Sequence, residues 1–259
     1  MDKRLEQFKR LLDIMDELRA KCPWDKKQTF ESLRHLTIEE TYELADAVIE
    51  GKPDDIKKEL GDLLLHIVFY AKIGDESGEF DISDVIEGVN KKLVDRHPHI
   101  YGDVKVTSDE DVKNNWEKIK MKNGCKKVLS GVPKSLPSMV KAYRIQDKAR
   151  GVGFDWEKPH QVWDKVQEEL NELRMVAENK GSEKDIEQEF GDLLFALINY
   201  ARFINVNPEN ALEKTNKKFI KRFEYLEKQV NEQGKDMRKM SLKEMDVFWE
   251  EAKNKEHKP

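Results

Sequence analysis

Four acidic residues in the second half of the chain stand at spacings that can do chemistry: Glu169 and Glu172 are three apart, and so are Glu189 and Asp192. Helix positions three and four apart share a face, so each pair projects together if its segment is helical. Carboxylates are hard oxygen donors suited to Mg2+ or Mn2+. Two such pairs brought to one point repel unless a cation or protons neutralise them. The first half repeats the spacing with Glu40 and Glu43, then Glu59 and Asp62. In a chain with 38% charged residues a lone pair of this kind is ordinarily a solvated helix face. Repetition, and the position of Asp192 directly before the apolar run Leu193–Ile198, set these pairs apart.

The pairs can meet only if two segments of each half fold back on each other. Glu172 lies nine residues before Gly181 and Glu189 eight after it, which at about 1.5 Å per residue puts both roughly 12–14 Å from the turn. Glu43 and Glu59 each lie eight residues from Gly51. Antiparallel helices hinged at these glycines bring all four carboxylates of a half to one level. Apolar periodicity supplies the helices: Leu5, Phe8, Leu11, Leu12, Met15 and Leu18 begin a pattern that continues over about 33–50, 54–76, 82–95 and 108–122. It resumes over about 137–149, 160–179, 183–204, 208–233 and 241–254. Gly61 and Gly191 sit inside such helices at a cost of about 1 kcal/mol relative to Ala, which close approach of another helix would offset. No sustained period-two strand appears, so the fold class is all-α.

The halves match in order. "LGDLLLHIVFYA" from Leu60 parallels "FGDLLFALINYA" from Phe190, and "DVIEGVNKKLVDR" from Asp84 parallels "NALEKTNKKFIKR" from Asn210. "WEKIK" from Trp116 parallels "WEEAK" from Trp249, and "PWD" at Pro23 parallels "FDW" at Phe154. This is an internal duplication, giving two tandem helical-bundle domains, 1–122 and 137–259, joined by a Gly- and Pro-containing linker, 123–136.

The net charge of −5 gives no general footprint for a polyanion, so nucleic acid is not the expected partner. No apolar run approaches the roughly 18–20 residues of a membrane span, and the charged N-terminal segment has no apolar signal core. Two cysteines, Cys22 and Cys125, make no disulfide framework and read as ordinary buried thiols of a cytoplasmic protein. A Walker loop, HExxH and G-x-S-x-G are all missing. A di-iron bundle wants Glu-x-x-His on helices, and the only such spacing, Glu157 to His160, holds Pro159. In "RHPH", Arg96–His99, the proline between two histidines reads as a helix end rather than a metal site.

Cations accompany the acids. Lys165 lies four residues before Glu169, Lys218 and Arg222 share a face, and so do Trp249 and Lys253. Each taken alone is an ordinary surface or core residue; together they offer phosphate oxygens a positive surround and a base or sugar an indole face. The EExxE…ExxD pattern, "CPWD" at Cys22, "RHPH", "VGFDW" at Val152 and "KFIKRF" at Lys218 closely resemble the MazG family of nucleoside triphosphate pyrophosphohydrolases across nearly the whole chain.

That resemblance implies an all-α nucleoside triphosphate pyrophosphatase fold, a homodimer, and Mg2+-dependent cleavage between the α and β phosphates. By motif match Glu169, Glu172, Glu189 and Asp192 hold the metal, and Lys165, Glu168, Lys218, Arg222, Trp249 and Lys253 contact the nucleotide. Narrower alternatives are a pyrophosphatase for dUTP or a damaged nucleotide, and a helical interaction protein without catalysis. The first half keeps Glu40, Glu43, Glu59 and Asp62 as a candidate second metal site, and also retains Lys92, Arg96, Trp116 and Lys120, but has Leu36 opposite Lys165, His66 opposite Ala196 and Phe69 opposite Asn199. The second half is therefore expected to be catalytic, and the first structural, regulatory or weakly active.

Overall fold

The computed structural model describes residues 2–108, 111, 112, 115, 119 and 127–256, and all regular structure among them is helical. Trp116, Lys120 and Cys125 lie outside these residues. The chain divides into two units, Met1–Ile119 and Lys120–Pro259.

In the first unit, α1 (Lys3–Lys21) starts where the Asp2 side chain accepts from the Arg4 amide. The second helix, α2 (Phe30–Glu50), opens on a reciprocal cap between Thr29 and Ser32 and stops at Gly51, φ +70. Pro53 begins α3 (Pro53–Ser77), and Asp81 with Asp84 caps α4 (Ile82–Arg96). His97 ends α4 and Pro98 starts the short α5 (Pro98–Tyr101). Met15, Leu33, Val68 and Phe69 are the buried centre, so α1 closes over the α2–α3 pair.

The second unit repeats the plan with α6 (Ser138–Arg150), α7 (Pro159–Glu178), α8 (Glu183–Phe203), α9 (Pro208–Glu232) and α10 (Leu242–Glu256). Pro159 is the first residue of α7, not an interior one. Val162, Val166, Ala196 and Ile198 are buried on α7 and α8. A separate cluster of Leu226, Val230 and Phe248, rimmed by Met237, Met240, Met245 and Trp249, joins α9 to α10. The described part of the expected linker is ordered by packing: buried Lys148 donates to the Val128 carbonyl of a turn at Val128–Gly131 (3.2 Å).

The duplicated hinges are built differently. Gly51 takes the left-handed backbone itself, whereas in the second half Lys180 does, φ +54. Gly181 is needed for room: a Cβ there would come within 2.5 Å of Val176 Cγ1. Gly61 and Gly191 correct an expectation, because a Cβ added at either meets nothing within 4 Å among the described residues. Among the described residues, no other helix of the same unit approaches closely there. Cys22 is half-buried rather than buried.

Two arginines brace the loops that carry "PWD" and "FDW". Arg19 pairs with Glu76 of α3 (Nε to Oε1 2.9 Å) and donates to the carbonyls of Asp25 and Gln28. Arg202 of α8 donates to Asp155 (2.8 Å) and to Asn199 (2.8 Å), with 9% of its side chain exposed. Removing one partner of a pair this buried leaves an uncompensated charge, so Asp155→Ala is expected to cost about 3 kcal/mol in a denaturant titration. Gly74→Ala is expected to destabilise, because its Cβ would stand 2.8 Å from both the ring and the carbonyl oxygen of Phe80. Gly61→Ala is expected to stabilise by about 1 kcal/mol; a loss on melting would reveal a close neighbour outside the unit.

Candidate functional site

The acidic residues gather where α7 packs along α8. Glu169 is 7% exposed, and its carboxylate is the hub of the cluster. One oxygen each of Glu169, Glu189 and Asp192 lies within 4.8 Å of the other two, and Glu168, Glu169 and Glu172 form a second such group. Lys165, one turn before Glu169, places its ammonium 2.6 Å from Glu169 and 2.7 Å from Glu168. Those two carboxylates hold the lysine's proton well above its ordinary range.

Glu169 belongs to both groups and so links all four acids of the second half. Glu172 does not join Glu189 and Asp192, and Glu43 stands off the corresponding group of Glu40, Glu59 and Asp62. Glu172 and Glu43 are exposed, as is Asp192. The Glu172 carboxyl is raised by desolvation and by the charges of Glu169, Glu168 and Glu189, with Lys165 opposing. Glu40 is raised by burial and by Asp62, Glu43 and Glu59, with Lys58 opposing.

Lys58 is the residue that sequence reasoning missed. It sits 2.8 Å from Glu59 and 3.8 Å from Asp62, so the first cluster does have a cation, delivered from α3 instead of α2. Its signal was readable, since Lys58 and Asp62 are four apart; the second half has Gln188 at that position. His66 is absorbed structurally: its Nδ1 lies 2.8 Å from Thr37 Oγ1, which also meets the Tyr70 hydroxyl at 2.7 Å.

The expected nucleotide-contacting residues fall into two groups. Lys165 and Glu168 belong to the carboxylate cluster. Arg222 and Trp249 meet on the α9–α10 pair, with the guanidinium 5.9 Å above the indole and Phe219 tilted against the same ring at 5.0 Å. Lys218 lies one turn before Arg222, and Lys253 pairs with Glu250 (2.6 Å). Among the described residues, neither Lys218 nor Lys253 pairs with the α7–α8 acids. Lys221, Tyr225 and Lys255, not expected from the sequence, line a groove with Arg222. Three converging carboxylates with a buried hub fit a hard divalent cation by donor chemistry.

The chain matches the model of the MazG nucleotide pyrophosphohydrolase domain at residues 28–101 and 157–226, one match in each half. It is 43% identical over 251 residues, 95% of both chains, to the nucleoside triphosphate pyrophosphohydrolase/pyrophosphatase MazG of Thermotoga maritima. It is 40% identical over 260 residues to the nucleoside triphosphate pyrophosphohydrolase of Escherichia coli K12, covering 97% of this chain and 99% of that one. The uncharacterized protein YabN of Bacillus subtilis is 46% identical over 257 residues, spanning 97% of this chain and 53% of its own length.

The raised carboxyls make stability depend on pH. A glutamate whose folded pKa lies above its unfolded value favours the fold below the unfolded pKa and loses that contribution as pH rises through the folded one. In EDTA at neutral pH, Glu172→Gln and Glu40→Gln are therefore each expected to raise the Tm. The gain should vanish below about pH 4, where glutamates are protonated in both states. Thermal melts at the two pH values check the sign.

Proposed function

Because the chain belongs to the MazG nucleotide pyrophosphohydrolase family, we propose that its second half hydrolyses nucleoside triphosphates between the α and β phosphates. The products are a nucleoside monophosphate and pyrophosphate. The observation that carries the assignment is the convergence of Glu169, Glu189 and Asp192 around a buried hub within a family-matched segment. These three carboxylates, with Glu172 at their edge, would hold Mg2+, or Mn2+ in its stead. Bound there, such an ion would supply charge neutralisation for the phosphates and a lowered pKa for water.

The chain's own groups do the rest. Glu172, off the tight group and raised in basicity, accepts the proton of the water that attacks the α-phosphorus. The bond from that phosphorus to the bridging oxygen breaks, and pyrophosphate leaves. Lys165 stays charged throughout and offsets phosphate charge beside Glu168 and Glu169. Lys218, Arg222 and Lys253 stabilise the leaving pyrophosphate, and Trp249, held by Phe219, stacks on the base. A stacking face reads no base edge, which suits a broad substrate range.

We infer a homodimer from the apolar side chains that α8 leaves open: Phe190, Leu194, Phe195 and Leu197 are each more than 40% exposed. Among the described residues no helix is long and apolar enough to cross a membrane, in keeping with a cytoplasmic setting. Activity is assigned to the second half because the first has Leu36 and Phe69 where Lys165 and Asn199 stand, and its cluster lysine, Lys58, arrives from the other helix of the pair.

Incubation with each standard nucleoside triphosphate and Mg2+ is expected to yield monophosphate and pyrophosphate. Diphosphate and phosphate would overturn the assignment, and turnover confined to dUTP or a modified base would narrow it. Glu189→Gln is expected to lower kcat/KM by about 100-fold or more, and Glu59→Gln by less than about threefold, on the scale of a lost transition-state contact. Equal losses in the two variants would sink the asymmetry.

A further inference from the structure

A cavity of about 180 Å³ lies in the first unit between α1, α3 and the start of α4, and none of Glu40, Glu59 and Asp62 lines it. Its floor is apolar: Met15, Val68 and Ala71 are each at most 2% exposed. Its rim is charged, with Asp16 from α1, Asp75 from α3 and Asp81 at the head of α4. Lys72 bridges Asp16 (2.8 Å) and Asp75 (2.9 Å), which keep it an ammonium. Asp81 gives one oxygen to the Asp84 amide. Three carboxylates on this rim face one positive charge, so the mouth of the cavity keeps a negative sign.

The duplication separates what packing needs from what it does not. The register that sets Leu60 opposite Phe190 also sets Asp25 opposite Asp155, and it pairs the apolar floor with Ile145, Ile198 and Ala201. The cation is kept as well, Lys72 against Arg202. The acids are not kept. Asp16 stands opposite Gln146 and Asp75 opposite Asn205, and the match of α4 to α9 sets Asp81 opposite Asn207. In the second unit Gln146 joins its helix to α8 by donating to the Phe195 carbonyl (2.8 Å), and Arg202 is neutralised by Asp155 of the loop. The same helices therefore pack with amides at all three positions, and the three charges are a property of the first half beyond its fold.

The chemistry of the space selects its occupant. A fully buried floor suits an apolar body, and the rim suits a positive head. Ligands of one metal shell stand at most about 4–5 Å apart, whereas Asp16, Asp75 and Asp81 are not among the acidic groups that close within 4.8 Å in the described residues. The rim is too wide for one bare ion. At about 30 Å³ per water the volume equals roughly six waters, the size of a short alkylamine and too small for a nucleoside.

We propose that this cavity binds a small organic amine, a short alkyl chain ending in one or two ammonium groups, held by Asp16, Asp75 and Asp81. The site is independent of the hydrolytic reading of the second half and is tested without measuring turnover.

The full chain is titrated with butane-1,4-diamine by isothermal titration calorimetry, in excess Mg2+ that competes for the tighter acidic groups, and melted in parallel. One diamine per chain and a raised Tm are expected, with weaker binding of butan-1-amine and none of butan-1-ol. Asp75→Asn alone is expected to weaken diamine binding about tenfold, the effect of removing one charge near the ligand. The chain combining Asp16→Gln, Asp75→Asn and Asp81→Asn, the residue types of the second half, is expected to lose binding. Asparagine still caps a helix, and Asp75→Asn alone decides should the combined chain fold poorly. No diamine binding to the wild-type chain, or unchanged binding after these substitutions, would overturn the site. Butan-1-ol binding as tightly as the amines would overturn the role of the carboxylates. Failure of the wild-type chain to hydrolyse nucleotides would leave all these readouts intact.

Discussion

The structure turns on what happens to a carboxylate taken out of water between two helices. Glu59 and Glu169 are each at most 7% exposed, each inside a group of other acids. Each is stripped of water and stands beside other acids, and apolar neighbours that hold the helices together offer it no compensation. The fold answers with positive charge: Lys165 on Glu169, Lys58 on Glu59. The same unfavourable field that a lysine partly quenches would favour a divalent cation in the proposed site. The apolar stripes of α7 and α8 matter to function because they force acids together that would otherwise separate.

The duplication preserved the apolar stripes and exchanged the polar braces. Both halves keep the G-D-L-L run that lines the helix pair. The lysine at the cluster, however, comes from the first helix of the pair in one half and from the second in the other. The loop braces are exchanged likewise. Arg19 reaches from α1 to Glu76 of α3, whereas Arg202 reaches from α8 to Asp155 of the loop itself. Core positions tolerate little change in volume, while a charge need only arrive at the right point, and either helix can deliver it.

That difference explains what could be read from the sequence. Helix positions followed from periodicity, because an amphipathic stripe is a local signal. The all-α class, the paired hinges and the acidic sets followed too. Side-chain direction did not. Equal heights for Glu172 and Glu189 were legible from counting, but which carboxylates share one group was not: Glu172 groups with Glu168 and Glu169, and Glu189 with Glu169 and Asp192. The hinge glycine misled in a similar way: Gly181 marks the turn, yet Lys180 carries the left-handed backbone and Gly181 makes room for Val176. Lys58 was overlooked because alignment to Lys165 looked for a cation at one position of the repeat rather than at one point in space.

Preorganisation divides unevenly over the proposed nucleotide site. The indole of Trp249 is clamped by Phe219 and Arg222, above a core of Leu226, Val230 and Phe248 that α9 and α10 build between themselves. Its stacking face therefore exists before any ligand arrives, and little side-chain entropy is lost on binding. The carboxylate hub is fixed by burial in the same way. Lys165 and Lys218 are long, flexible side chains, and the first must divide its charge between two glutamates and any incoming phosphate. Rigid parts suit the groups that bind base and cation in every complex. Mobile ones suit the charges needed most as the bridging bond breaks, since an interaction strengthened only in the transition state raises kcat rather than ground-state affinity.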